Sequence, residues 1–384
     1  MSRVIDLLRD LVAIPSVNPS GRPPDDEITG ERRVVDYLEA LLSSSGVECA
    51  RQEALPGREN LLAWVKGGSP APLVLEAHTD TVSVGGMDIQ PFDPRIENGR
   101  VYGRGACDDK ASLAAMATAL LRVAEQGTPD RTCLLAATCD EEFGFNGIKA
   151  FLAAPQVAGL SPELLGQAVA CVGEPTELGI VIAHKGAFRW HVRTRGRAAH
   201  SSQPEKGDNA IYKMARVIAA LEEYAHSLRQ RPGHALVGGP SFSVGMVHGG
   251  TAVNIVPEVC EIQVDRRLIP GEDGEAAAAE IRQFLRERVQ DEVELSTLLV
   301  DWPMETAADS EVVLRAQRAA RAAGTSPDLL GVQYGTDASK MARSGVQCVV
   351  CGPGHIAQAH TAVEWVEATQ VEAAVDFYEA FLTG

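Results

Sequence analysis

The chain has 384 residues, 45% of them hydrophobic and 23% charged, and its 52 acidic and 35 basic side chains leave a net charge of −17. That length exceeds what one hydrophobic core usually supports, so two domains are expected. The acidity speaks against a face built for nucleic acid, and no apolar run is long enough to span a bilayer.

In chain order, the first stretch is MSRVIDLLRDLVAIPS, whose apolar residues are interrupted by Asp6, Arg9 and Asp10 at helical spacing. It reads as an amphipathic helix and not as a signal peptide, so the cytoplasm is the expected compartment. SGRPPDDEITG (residues 20–30) reads as a polar surface loop. Residues 31–45 put Val34, Leu38, Leu41 and Leu42 on one helical face, with Gly46 as the stop. NLLAWVKG and PLVLEAH follow as strands, ASLAAMATALLRVAEQG (111–127) as an alanine-rich helix, and TCLLAATC (132–139) and QAVACVG (167–173) as two more apolar strands. Strands alternating with helices predict an α/β fold with a mainly parallel sheet and helices on both faces.

The pattern changes near residue 184. FRWHVRTRG, DNAIYKMARVIAALEEYAHSL, PSFSVGMVHGG, AVNIVPEVCEIQVDRRLI, GEAAAAEIRQFLRERVQ and EVELSTLLV read as β, α, β, β, α and β. That order suits a small ferredoxin-like α+β domain. The parallel-sheet pattern resumes later, with CVVCG as a strand. Residues 184–297 are therefore expected to form an insertion in a larger domain made of 1–183 and 298–384. Of the eight cysteines, several lie in apolar runs, as buried thiols of a reducing compartment do. Cys348 and Cys351 have CxxC spacing inside a strand, where residues three apart face opposite ways, so no metal or redox pair is expected there.

The chemistry gathers just beyond predicted strands: His78-Thr-Asp80, Cys107-Asp108-Asp109, Asp140-Glu141-Glu142, Gly173-Glu174-Pro175, and a late His360. Ligand sites of parallel α/β sheets form outside the carboxyl ends of the strands. Taken singly, each cluster has an ordinary explanation, such as a local hydrogen bond, a solvated acid pair, a helix cap or a turn. Taken together, they crowd carboxylates at one sheet edge without a counter-charge, which is costly. One divalent cation, or two, would remove that cost, and two imidazoles with three carboxylates suit a pair of zinc ions. In extended chain, residues two apart share a face, so Asp80 is expected to orient the His78 ring. Of Glu141 and Glu142, one is expected to hold metal. The other would carry a proton from the attacking water to the leaving nitrogen.

HTD, GRGACDDK, TCDEEFG, GEPT and the late QAH occur in order, and the sequence resembles the di-zinc amidohydrolases that include acetylornithine deacetylase, succinyl-diaminopimelate desuccinylase, glutamate carboxypeptidase and aminoacylase. The resemblance spans essentially the whole chain. It implies metal ligation by His78, Asp108, Glu142, Glu174 and His360, with Asp108 bridging two ions, most readily zinc, with cobalt as the alternative. It makes Asp80 the orienting acid and Glu141 the general base. The family continues Met-Lys-Gly after the bridging aspartate, where this chain has Asp109-Lys110-Ala111, so Asp109 stands as the alternative bridge. The resemblance makes the insertion a lid and dimerisation domain. It makes His200 the histidine that polarises the scissile carbonyl in the partner subunit's site, and Asn254 and Arg267 substrate contacts, with Arg266 beside Arg267 as the alternative.

Within the family, GEPTELGIVIAHKGAF and CGPGHIAQAHTAVEWV are most similar to acetylornithine deacetylase. The expected reaction is amide hydrolysis of a small N-acyl amino acid, N-acetylornithine first, as in arginine biosynthesis, by a homodimer with no nucleic-acid or membrane partner. Lys185 is expected near the substrate carboxylate. Gly335 and Thr336 would line the pocket, and Asp337 would meet a substrate ammonium group. A desuccinylase or aminoacylase/carboxypeptidase is the alternative within the family. A catalytically silent metal- or amino-acid-binding protein is the alternative outside it.

Overall fold

A computed structural model describes residues 2–24 and 27–384. Asp25 and Asp26 of the polar loop expected over 20–30 lie outside the described residues. The chain divides into two compact units. Unit 1 comprises Met1–Ile182, Thr306–Leu330 and Thr336–Gly384; unit 2 comprises Ala183–Glu305 and Gly331–Gly335.

Unit 1 is built on a mixed sheet. At its centre Arg131–Thr138, Ser69–His78, Val169–Val172 and Gln347–Val350 lie side by side, all parallel. On one side the hairpin Glu48–Leu55/Arg58–Val65 adds two antiparallel strands, and on the other Val181 of Ile180–His184 pairs antiparallel with Val350. Alternation along the strands explains why both faces are buried. Leu73, Leu75 and Ala77 join Leu135, Val169 and Val349 in the main core, against Leu8 and Leu11 of Arg3–Ala13, Leu113 and Leu120 of Lys110–Gln126, and Phe377 and Phe381 of Ala368–Thr383. Val74, Leu134 and Ala170, one residue out of phase, are equally buried on the opposite face. Both faces of the sheet are thus closed to water, and the polar chemistry is left to the loops at the strand ends.

The amphipathic reading of the N-terminus holds: Arg3–Ala13 buries Val4, Ile5, Leu7, Leu8, Leu11 and Val12. So does the helix read over 31–45, observed as Arg32–Ser44, with Gly46 at φ +80° just beyond it. Leu41 is only partly buried, and Val35 takes the place expected for it in the core. All eight cysteines are free thiols, and seven are buried. Cys351 faces the main core and Cys348 does not.

Unit 2 contains a four-stranded antiparallel sheet in the order Ser241–Gly249, Val259–Leu268, Gly186–Arg195, Val293–Asp301. With the helices Ala210–Leu228 and Gly274–Arg288, the chain runs βαββαβ. Phe188, Trp190 and Val192 pack with Ile262, Val264, Leu221, Tyr224 and Ile281 on the helix side. The other side carries ion pairs such as Arg189–Asp265 and Arg195–Glu294. Val293–Asp301 pairs along its length with Gly186–Arg195, so unit 2 continues past the 298 read from sequence to Glu305.

Candidate metal centre

Four of the site segments leave the carboxyl ends of parallel strands. Ser69–His78 ends in His78 itself; Arg131–Thr138 runs into Asp140-Glu141-Glu142; Val169–Val172 runs into Glu174; and Gln347–Val350 leads into the loop with His360. Asp108 comes from the turn before the helix Lys110–Gln126. All five expected ligands lie in unit 1.

The structure brings them together. His78 Nε2 is 3.0 Å from Asp108 Oδ1; His360 Nε2 is 3.2 Å from Asp108 Oδ2 and 3.1 Å from Glu142 Oε1. Among the described residues, two triads have ligand atoms within 4.8 Å of one another: His78 with Asp108 and Glu142, and His78 with Glu141 and Glu174. Asp108 therefore touches both imidazoles. Asp109 turns instead toward Gly173 and Ser112: a Cβ on Gly173 would stand 2.6 Å from Asp109 Oδ2. Neither aspartate caps the helix that follows, since the N-cap Asp109 makes no side-chain capping bond.

Asp80 stands against the His78 ring and holds a second segment as well. The near partner of His78 Nδ1 is the backbone carbonyl of Asp80 at 2.9 Å, with the Asp80 carboxylate at 3.7 Å. That carboxylate accepts hydrogen bonds from Asn18 Nδ2 (2.7 Å) and from the backbone N–H groups of Glu141 (3.1 Å) and Glu142 (3.2 Å). It thus fixes the histidine loop and the glutamate turn at once. Beneath that turn, Asp140 adopts φ +66° and is held by Arg58, Asn18 and Asn146. Arg58 is itself paired with Glu31, and all of these charges are buried. Asn18, Glu31, Arg58 and Asn146 were not singled out from sequence, because their partners lie in distant segments.

The electrostatics are those of crowded acids. Burial raises the carboxyl groups of Glu141 and Glu174 well above the usual range; Asp337 and Glu142 add to the effect at Glu141, and Asp108 and Glu141 at Glu174. Burial, with Asp108 beside it, also raises Glu142. Asp109 is pushed to about 8, by burial first and then by Asp108 and Glu142. Burial opposes ionisation of Asp108, but its hydrogen bonds to His360 and His78 win and hold it below the carboxylate range. Hydrogen bonds to Asp108 and Glu142 raise His360 to about 10. Such a set of mutually repelling oxygens with two imidazole nitrogens is the donor set a hard or borderline divalent cation neutralises, so the residues present fit metal.

The remaining expected residues are divided between the two units. Thr336 and Asp337 are buried in unit 1, and Asp337 Oδ2 is 3.5 Å from Thr138 Oγ1, which donates to the buried Glu76 at 2.6 Å. His200, Asn254, Lys185, Arg267 and Gly335 belong to unit 2. His200 is exposed, with Nδ1 2.8 Å from Ser202 Oγ, and Asn254 is exposed. Lys185 donates to the carbonyl of Gly239 at 2.5 Å. Arg266 and Arg267 point to opposite faces of their strand. Arg266 is buried and paired with Glu272; Arg267 is partly exposed beside Asp265. Gly335 has no room for a side chain, because a Cβ there would stand 1.9 Å from Asp301 Oδ2.

Residues 74–384 match the family described as Peptidase family M20/M25/M40. The chain belongs to that family. It is 34% identical over 349 residues to an acetylornithine deacetylase of Myxococcus xanthus, covering 87% of each chain. It is 30% identical over 375 residues to an acetylornithine deacetylase of Photorhabdus laumondii subsp. laumondii, covering 94% of this chain and 92% of that one. In three dimensions it is similar to the M20 family metallo-carboxypeptidase Sso-CP2 from Sulfolobus solfataricus, with a TM-score of 0.78 and 18% identity, covering 100% and 99% of the two chains. This M20-family protein is a metal-dependent hydrolase acting on amide bonds. No helix among its described residues is long and apolar enough to cross a membrane.

Proposed function

We propose that this chain hydrolyses an N-acyl amino acid, with N-acetylornithine as substrate and ornithine and acetate as products, at a pair of divalent ions, zinc or else cobalt. The observation that carries the reading is the convergence of two imidazoles and the carboxylates of Asp108, Glu141, Glu142 and Glu174 within one cluster of unit 1. The curated relatives named acetylornithine deacetylase support the choice of substrate.

His78, Asp108, Glu142, Glu174 and His360 would hold the ions, Asp108 serving as the ligand common to both. Such ions, when bound, supply Lewis acidity and make a water acidic enough to attack near neutral pH. Glu141 takes the proton of the attacking water and delivers it to the leaving nitrogen; its raised pKa suits it to release as well as accept. Asp80 orients the His78 ring and also keeps Glu141 in place through the backbone bond described above. His200 polarises the scissile carbonyl in the partner subunit's site, Lys185 and Arg267 receive the substrate carboxylate, for which an arginine fork is well shaped, and Asn254 contacts the substrate. Asp337, with Gly335 and Thr336 beside it, receives the substrate's ammonium group. Unit 2 acts as lid and dimerisation domain. The exposed apolar side chains of Tyr212, Val247 and Val253 support a homodimer through it. The free thiols support a reducing, cytoplasmic setting.

Steady-state assays of N-acetylornithine, N-succinyl-diaminopimelate, N-acetylcitrulline and a dipeptide, with metal content measured on the same preparation, test the proposal. The expected result is the largest kcat/KM for N-acetylornithine. No turnover of it alongside turnover of another amide overturns the substrate. Two bound metal ions with no hydrolysis of any amide leave a binding protein.

A further inference from the structure

Glu364 follows the His360 loop, yet its side chain serves a different loop. It is fully buried. Its Oε2 accepts from Arg104 Nη1 at 2.6 Å and from the Gly105 backbone N–H at 3.0 Å. Its Oε1 accepts from the backbone N–H groups of Cys107 at 2.9 Å and Asp108 at 3.0 Å. The Glu364 backbone carbonyl accepts from Gly103 N–H, and the next residue, Trp365, pairs with Tyr102 across a short antiparallel ladder. One carboxylate therefore gathers the turn that presents Asp108 and ties it to the segment that presents His360.

The chemistry matches the task. Backbone N–H groups in a tight buried turn need acceptors, and an ionised carboxylate accepts several at once and more strongly than a neutral group. Burial pushes the Glu364 carboxyl group up, and the Arg104 guanidinium beside it supplies the counter-charge that opposes that push. Asp108 and His360 would share an ion, so their separation must be held to a fraction of an ångström for both to coordinate. The ladder between the two segments is short, and Arg104 Nη2 adds a bond to the Thr361 carbonyl at 3.5 Å; the Glu364 carboxylate is the group that reaches the backbone N–H of Asp108 itself.

We infer that Glu364 is a positioning residue for the metal centre: it sets the placement of Asp108 relative to His360 and thereby the affinity of the ion they share. This rests on the metal-ligand reading proposed above. The test uses the full chain. In metal-free protein, the amide protons of Gly105, Cys107 and Asp108 should be protected from hydrogen exchange. Glu364→Gln keeps an acceptor for one of the two donor sets and turns an amide NH2 toward the other, so exchange of either Gly105 or the Cys107–Asp108 pair should speed at least ten-fold. In zinc titration of the metal-free protein, the same variant should bind one of two ions about ten- to a hundred-fold more weakly, the range expected when a group supporting a ligand is lost. Arg104 left unpaired by that change could itself disturb the fold. The paired variant Arg104→Met with Glu364→Gln removes the stranded charge. It should regain melting temperature while metal affinity stays low. Wild-type exchange rates together with wild-type zinc affinity in Glu364→Gln overturn the inference. So does a paired variant whose zinc affinity returns with its stability. A wild-type chain that binds no zinc is a different outcome, which sinks the metal-centre reading while the exchange measurement still tests the clasp.

Discussion

His360 Nε2 lies 3.1 Å from Glu142 Oε1, although 218 positions separate them in the chain. In metal-free protein the hydrogen bond to Asp108, together with this contact to Glu142, raises the His360 ring to about 10. The unfolded reference is roughly 6.5. A pKa raised by folding stabilises the fold fully below the unfolded value and loses that contribution as pH rises through the folded one. The raised Glu141, Glu142 and Glu174 act in the same direction, since they too release protons as pH climbs. Chelator-treated protein should therefore lose melting temperature steadily from about pH 7 to pH 10, and zinc-loaded protein should lose less over that window. Calorimetry on both forms at stepped pH checks this. Equal slopes would show that these groups are not the ones occupied on loading.

Glu141 belongs to one of the two metal-competent triads, so base and ligand are both open to it on distance alone. The two roles separate experimentally. Glu141→Gln keeps the size and the backbone bond to Asp80 but cannot accept the proton. Turnover should fall roughly 10²–10⁴-fold, the usual worth of a positioned base, with two ions still bound by elemental analysis. Loss of an ion from the variant would move Glu141 into the ligand set.

Much of this was legible in the sequence, for a physical reason. A parallel sheet buries its strands and exposes only their ends, so His78, Glu141, Glu142 and Glu174 each appear as polar residues closing an apolar run. What sequence could not reveal is the polar scaffold under them. Arg58 sits in an edge-side strand and looks like a surface arginine, yet its partners are Glu31 and Asp140. Glu364 looks like one acid among several near a strand start. These groups are defined by contacts between remote segments, and no local pattern encodes such contacts. Asp80 shows the same limit: its parity with His78 was readable, but its grip on the glutamate turn was not.

Gly173 is required for space rather than for backbone freedom. An added Cβ would stand 2.6 Å from both Asp109 Oδ2 and Ser112 Cβ. The neighbours are buried and cannot swing into solvent. Gly173→Ala should cost about 1–3 kcal/mol, as overpacking of a tight interior does. Because Glu174 is the next residue, zinc affinity should fall as well. Urea unfolding and zinc titration together check it. Full stability with weakened binding would mean that the strain is relieved at Glu174 alone.

Arg58 offers the sharpest contrast between buried and exposed charge. It donates through Nε to Glu31 at 2.9 Å and through Nη1 to Asp140 at 2.6 Å, and only 2% of its side chain is exposed. Arg58→Met would leave two acids buried without their cation, a change that costs about 3–5 kcal/mol where it has been measured. Arg3 pairs with Glu125 at 3.1 Å, but both side chains are more than half exposed. Arg3→Met should cost less than about 1 kcal/mol. Asp140 anchors the turn that carries Glu141 and Glu142, so Arg58→Met should also lower kcat at temperatures where the protein remains folded. Urea titrations of the two variants, followed by kinetics below the transition, test both parts. Equal and small losses of stability would show that Asn18 and Asn146 suffice to hold Asp140, and that the buried arginine is dispensable to the glutamate turn.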